Sequence, residues 1–216
     1  TILAYKKANK KINIKKNINN VIYVSENAKT DISLYDIILS VDGKDINNIK
    51  ELQDYIKTKN EGDIVYFKVI SNKKEVDRKA EVININGELK VGIAFLTTYE
   101  YETDPSITVK TKSSESGSSG GLMLSLAIYN AITKEDITKG KTIVGTGTID
   151  VLGNVGKIDG VKYKILGAVK NKADLFICPK DNCDEAMKIK KEHNLNINII
   201  SVETFDEAIN YLENNL

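Results

Sequence analysis

Ser113, Ser114, Glu115, Ser116, Gly117, Ser118, Ser119, Gly120 and Gly121 form an unbroken tract of serine and glycine apart from one acid, and it runs straight into the apolar segment Leu122, Met123, Leu124, Ser125, Leu126, Ala127, Ile128, Tyr129. One reading is a flexible linker. The other is a backbone nest at a helix N-terminus, where free N–H groups and the helix dipole stabilise an anion. Linkers seldom end on a buried helix start, and the abrupt change after Gly121 favours the nest. A serine placed there becomes a nucleophile if a base takes its proton. The only histidine, His193, closes a charged stretch whose apolar residues are Ala186, Met187 and Ile189, the pattern of a solvent-facing helix. The other option is a lysine, because an amine held among apolar groups loses its preference for the charged form. Several lysines follow the tract, and residue types alone do not choose among them.

Composition excludes much else. The chain of 216 residues has 31 basic and 30 acidic side chains, so a nucleic-acid reader driven by bulk positive charge is not expected. One histidine and two cysteines leave no basis for a zinc cluster or a disulfide scaffold. Cys178 and Cys183, on either side of a Pro-containing turn, are expected as free thiols. Gly140-Lys141-Thr142 has the end of a phosphate-binding loop, but position 135 is Glu; Gly145-Thr146-Gly147 has no third glycine, position 150 being Asp. Neither nucleotide motif is intact, and no metal or cofactor is expected. The longest apolar-rich stretch, 121–132, is interrupted by Ser125 and Asn130 and is too short to span a bilayer. The chain starts at Thr1, which leaves room for an upstream segment carrying targeting information.

The elements that must position this chemistry fall into two bodies. Residues 21–24 and 37–41 read as strands, the second ended by the turn dipeptide Asp42-Gly43. Asn47 or Asn48 caps a helix reaching about Thr58, with Ile49, Leu52, Tyr55 and Ile56 at helical spacing. Residues 64–70 pair with 78–83 across a polar turn at 71–74. Residues 84–87 read as a short linker. Further on, 142–149 reads as one buried strand, 150–159 as a glycine-punctuated turn or hairpin, and the segment from Gly160 as a helix start.

The first body resembles a PDZ domain. The resemblance rests on Val24-Ser25-Glu26-Asn27-Ala28, on Asp36-Ile37-Ile38-Leu39-Ser40-Val41-Asp42-Gly43-Lys44-Asp45-Ile46, and on the helix and hairpin that follow in the family's order. Two positions depart from the pattern. Tyr35 stands where bacterial members often have Gly, and Ile18-Asn19-Asn20 replaces a glycine-rich carboxylate-binding loop. The second body resembles the Lon family of serine proteases, through Gly117-Ser118-Ser119-Gly120-Gly121-Leu122, Gly145-Thr146-Gly147-Thr148-Ile149, Gly153-Asn154-Val155, Ile158-Asp159-Gly160-Val161, Lys164 and Ile177-Cys178-Pro179-Lys180-Asp181-Asn182. Ser118 stands where the family often has Pro, Gly120 where Ala is common, and Ser116 where ATP-dependent members often have an acid.

The resemblance implies an α+β chain with an N-terminal extension (1–14), a small β-rich PDZ-like domain (15–87) and a Lon-type α/β proteolytic domain (88–216). It implies an ATP-independent serine endopeptidase with Ser119 as nucleophile, Lys164 as general base, Thr146 hydrogen-bonding the lysine, and Gly117 and Ser118 supporting the loop. Peptide or protein substrates, a homo-oligomer, and a location outside the cell tethered by a membrane segment upstream of Thr1 are implied in the same way. The rival readings are a non-catalytic peptide-binding module and a Ser-Lys amidase acting on small molecules. Helical periodicity gives a different lysine: at about 100° per residue, Val161, Ile165, Ala168 and Val169 form an apolar arc with Lys162 nearer its centre than Lys164. The family spacing favours Lys164, and that assignment is the expectation.

Overall fold

A computed structural model describes residues 1–110 and 117–216. Contacts divide the chain into two compact units, one of residues 13–102 and the other of residues 1–12 with 103–216. Ser113, Ser114, Glu115 and Ser116 of the Ser/Gly tract lie outside the described residues.

The 13–102 unit is built on a sheet whose main path runs β5–β4–β2–β1–β8. Its strands are β1 (Lys11–Val24), β2 (Ile37–Val41), β4 (Ile64–Ser71), β5 (Lys74–Glu81) and β8 (Ile93–Asp104), with the short β3 (Lys44–Asp45) paired to β2. β4 alternates strictly over its first six residues, so Val65, Phe67 and Val69 enter the core while Ile64 and Tyr66 face solvent, as a half-buried strand must. The β4–β5 turn places Asn72 and Lys73 at positive φ, the geometry of tight hairpins. Helix α2 (Ile49–Ile56) buries Leu52 and Ile56 in the same core. Its cap is Asn48, whose side chain accepts from the Glu51 N–H at 3.0 Å, while the Glu51 carboxylate accepts from the Asn47 N–H at 2.8 Å. This reciprocal pairing has the logic of a capping box.

Three sequence expectations change here. Residues 84–87 are not a linker but the end of β6 (Ile83–Ile85) and the turn Asn86-Gly87 of its hairpin with β7 (Glu88–Lys90), where the Asn84 side chain accepts from the Gly87 N–H at 2.9 Å. Residues 1–12 are no loose extension: Ala4 and Tyr5 of α1 (Ile2–Lys7) are fully buried in the core of the other unit, and the Tyr5 hydroxyl donates to the Pro105 carbonyl at 2.6 Å. Contacts also carry the β-rich unit past residue 87, because Val91 and Phe95 belong to its core.

The second unit is a three-layer α/β body around the parallel sheet β13–β12–β9: Asn198–Val202, Leu175–Pro179 and Ile143–Gly145. Every residue of the central β12 is buried, which a strand covered on both faces requires. Leu175 and Ile177 join a core with α1, α3 (Gly121–Ile132) and α6 (Phe205–Asn215), while Phe176 and Cys178 join one with α4 (Val161–Lys170) and α5 (Cys183–Glu192). The expected continuous strand over 142–149 is broken at Thr146 and Gly147 into β9 and β10 (Thr148–Ile149), and β10 pairs antiparallel with β11 (Val155–Gly156). Both cysteines are free; burial pushes the Cys178 thiol up to about 12, so it is no nucleophile near neutral pH. Among the described residues no helix is long and apolar enough to cross a membrane.

Tyr35 sits at φ 69° and is 81% exposed. A left-handed conformation costs an L-residue about 1–2 kcal/mol, part of which glycine's extra unfolded-state entropy offsets. Tyr35→Gly is therefore expected to stabilise the β-rich unit by roughly 0.5–1 kcal/mol, read as a rise of its calorimetric unfolding transition. An unchanged or lowered transition would show that the exposed ring contributes as much as the strain removes.

Candidate active site

The Ser/Gly tract closes on a 3-10 turn, Ser118–Gly120, that leads directly into α3. Gly117, at φ 143°, and Ser118 are exposed, whereas Ser119 is half-buried. The turn forms where it does because the helix behind it is anchored: Leu122 is fully buried, and its N–H donates to the Gly147 carbonyl at 3.0 Å. The first turn of a helix leaves its N–H groups without intrahelical partners. Ser119 stands at the head of this turn, where the Gly121 N–H donates to the Ser118 carbonyl and the Leu122 N–H to that of Gly147.

Lys164 reaches this point from the other helical layer. Its Nζ donates to Ser119 Oγ at 3.1 Å. Helix α4 starts after Gly160, which is left-handed at φ 74°, and Val161, Ile165 and Ala168 are its buried residues. Lys164 lies half-buried beside that face, and Lys162 is exposed. The apolar-arc argument for Lys162 fails because it counted Val169, which is only partly buried. Without Val169 the arc centre moves, and Lys164 lies about 65° from it against about 95° for Lys162 at 100° per residue.

Thr146 is at the site, 1% exposed, but with a different partner from the one expected. Its Oγ1 donates to the main-chain carbonyl of Ser119 at 3.0 Å, not to the lysine amine. The Gly147 N–H donates to the same carbonyl at 2.8 Å, and Thr146 itself is fixed by its N–H to the Ile177 carbonyl of β12 at 2.9 Å. Sequence reasoning missed this main-chain role of Gly147; the only signal was its place in the Gly-Thr-Gly string. It also missed Asn182, fully buried, whose side-chain oxygen accepts from the Ile158 N–H and whose amide donates to the Ile158 carbonyl, both at 3.0 Å. That bidentate tie pins the loop leading into α4 and so sets where the lysine helix begins. Asp150 braces the β10–β11 hairpin. Burial raises its pKa, but the Asn154 side chain and the N–H groups of Asn154, Leu152 and Gly153 outweigh this and hold it below the ordinary carboxylate range. His193 is exposed at the C-terminal end of α5. Among the described residues no cluster of His, Cys, Asp and Glu is arranged to hold a metal.

Fold and site together define a two-domain α+β protein, one domain β-rich and the other an α/β body with a serine and a lysine brought together at a helix N-terminus. Residues 109–214 match the family model of the Lon protease (S16) C-terminal proteolytic domain, and residues 7–82 match that of the PDZ domain. The chain thus carries a PDZ domain and a Lon-type proteolytic domain. A Lon protease of Metamycoplasma arthritidis is 32% identical over 96 residues, 44% of this chain and 11% of that protein. The archaeal Lon protease of Archaeoglobus fulgidus is 27% identical over 150 residues, 64% of this chain and 21% of that protein. The chain therefore spans about a tenth to a fifth of the length of these relatives. The PDZ domain of an SdrC-like protein from Listeria innocua superposes with a TM-score of 0.33 at 26% identity, covering 36% of this chain and 92% of that one.

Close packing makes the site's glycines unequal. A Cβ on Gly145 would stand 2.6 Å from the Ile177 carbonyl oxygen and 2.7 Å from Met123 Sδ, and one on Gly147 2.9 Å from a Val155 methyl. One on Gly120, at φ −92°, would meet nothing within 4 Å. Gly145→Ala and Gly147→Ala are expected to destabilise by roughly 1–3 kcal/mol, the usual scale of overpacking. Gly120→Ala should stabilise by about 0.4–1 kcal/mol through the unfolded chain. Thermal unfolding of the three variants checks the order; a Gly147→Ala transition at or above the parent's would contradict the packing.

Proposed function

We propose that this chain is a serine endopeptidase that hydrolyses peptide bonds through Ser119 and Lys164. The observation that carries this reading is the 3.1 Å contact between Lys164 Nζ and Ser119 Oγ at the head of α3, and the family match of the surrounding domain supports it. In the reacting form the lysine is neutral, so the hydroxyl donates to the amine. Ser119 Oγ attacks the scissile carbonyl as Lys164 takes its proton. The oxyanion forms near the positive end of α3, beside the main-chain N–H groups of Ser119 and its neighbours. Lys164 then gives its proton to the leaving amine. Water, deprotonated by the same lysine, hydrolyses the acyl-enzyme and restores both groups. Proton transfer and oxyanion binding both come from the chain, so no metal or nucleotide enters any step.

Substrates in this reading are flexible peptides and exposed protein segments, with the PDZ domain recruiting them by strand addition. Asn19, where a carboxylate-binding glycine loop would be, is instead buried, its side chain donating to the Ile46 carbonyl at 2.6 Å and accepting from the Thr97 hydroxyl at 2.8 Å. This favours internal segments over free C-termini as ligands.

Hydrolysis of fluorescein-labelled β-casein, an unfolded chain, tests the assignment. Ser119→Ala and Lys164→Met are each expected to abolish turnover with the fold intact. Lys162→Met, at an exposed position, should keep most of it. Labelling by a fluorophosphonate should depend on Ser119. Loss at Lys162 with retention at Lys164 would overturn the choice of base. Cleavage of small amides but not casein would move the reading to an amidase.

The same assay addresses cofactors. Turnover is expected to persist in excess EDTA and without ATP, because a Ser-Lys acyl transfer needs no Lewis acid and neither nucleotide motif is intact. Inhibition by EDTA that added zinc reverses would be incompatible with the mechanism.

A further inference from the structure

The carbonyl oxygen of Ser119 accepts two hydrogen bonds from one dipeptide, from Thr146 Oγ1 at 3.0 Å and from the Gly147 N–H at 2.8 Å. Three residues on, the Leu122 N–H donates to the Gly147 carbonyl at 3.0 Å. The break between β9 and β10 therefore grips the start of α3 at both ends of the 119–122 stretch. Its own position is fixed from behind, by the Thr146 N–H on the Ile177 carbonyl.

A trans peptide is planar, with its C=O and N–H on opposite sides. Fixing the Ser119 oxygen on Thr146 and Gly147 also fixes the Gly120 N–H, which must point away from them. Gly120 is exposed and has open space where a Cβ would stand. Glycine accepts positive φ readily, so the Ser119–Gly120 peptide could otherwise flip at little cost. A flip would take Gly120 from φ −92° to a positive value and turn its N–H into the hairpin.

We infer that Thr146 is a positioning residue that acts through the main chain of Ser119 and not through the lysine amine. With Gly147 it locks the Ser119–Gly120 peptide against the flip, and the Gly120 N–H is thereby held as a donor to the oxyanion. This rests on the assignment of Ser119 as nucleophile. It gives the buried threonine a task that does not touch the proton transfer.

The test uses the full chain and labelled β-casein. Thr146→Val keeps the shape and removes the hydroxyl. It is expected to lower kcat by roughly 10- to 100-fold, the scale of a misplaced reacting group, with KM and the pH–rate profile unchanged. Thr146→Ser should restore most of the loss. Gly120→Ala added to Thr146→Val should recover a several-fold part of it, because alanine resists the flipped conformation as glycine does not. If Thr146→Val does not fold, Thr146→Cys, with a weaker donor of similar volume, serves in its place. A displaced pH–rate profile, a kcat within about twofold of the parent, or no rescue by Gly120→Ala would each overturn the inference. Ser119→Ala is run alongside. Parent-like turnover in that variant removes the nucleophile itself, whereas an inactive Ser119→Ala beside a parent-like Thr146→Val removes only the positioning role.

Discussion

The second unit depends on one strand. β12 is apolar on both faces and must be covered on both, and its alternating side chains assign the helices to two layers. The serine stands at the head of a helix in one layer, and the lysine projects from a helix in the other. They can meet only where the sheet stops separating the layers. That place is the carboxyl end of β9, the edge strand paired to β12 through Gly145 and Ile177. Crevices beyond the carboxyl ends of parallel strands are where α/β sheets bind ligands in general, and here the reason is concrete. Past Gly145 the chain leaves the sheet, donates once more to Ile177 through Thr146, and turns toward α3.

The approach of these backbones limits what the residues there can be. Gly145 lies against the β12 carbonyl and Met123, Gly147 against Val155 and Leu122, and Gly156 so near the Thr148 hydroxyl that a Cβ would overlap it. Each glycine gives up helix or strand propensity. What is gained is that main-chain groups, not long side chains, hold Ser119. Main-chain groups in a packed core have few alternative positions, which is the condition for holding a donor in place before charge develops.

The sequence carried the elements whose signal is local. The strand at 37–41 has the bounds expected of it, the Asn-capped helix and the hairpin across 71–74 are present, and Ser119 and Lys164 lie together. What it concealed depended on neighbours far along the chain. The hairpin at 83–90 looked like a linker at its centre because its strands are only three residues each, too short to show alternation. Residues 1–12 looked like an extension because Ala4 and Tyr5 are buried by partners such as α3 and α6 that follow more than a hundred residues later. The partner of Thr146 was hidden for a different reason. A hydroxyl can bond to a side chain or to a backbone carbonyl, and a residue string specifies only that the hydroxyl is there. Periodicity favoured Lys162 because Val169, hydrophobic but only partly covered, was given the same weight as residues in the core.

In the proposed mechanism, the use of a lysine rather than a histidine as base fits the way this site is held. A histidine base needs a third group to fix its tautomer and ring orientation, as a buried carboxylate does in a Ser-His-Asp triad. A lysine amine has one nitrogen and rotates freely about its terminal bond, so it needs only to be delivered to the hydroxyl. Delivery is what α4 does, with Val161, Ile165 and Ala168 packed in the core and Asn182 fixing the loop that leads into it. Orientation is then demanded of the serine alone, and it is met at the backbone by two donors on one carbonyl. The solitary His193, exposed at the end of α5, has no such support. The ordering elements of the site thus converge on the main chain of Ser119 and on the helix that carries Lys164, and in the proposed mechanism the amine itself needs no further partner.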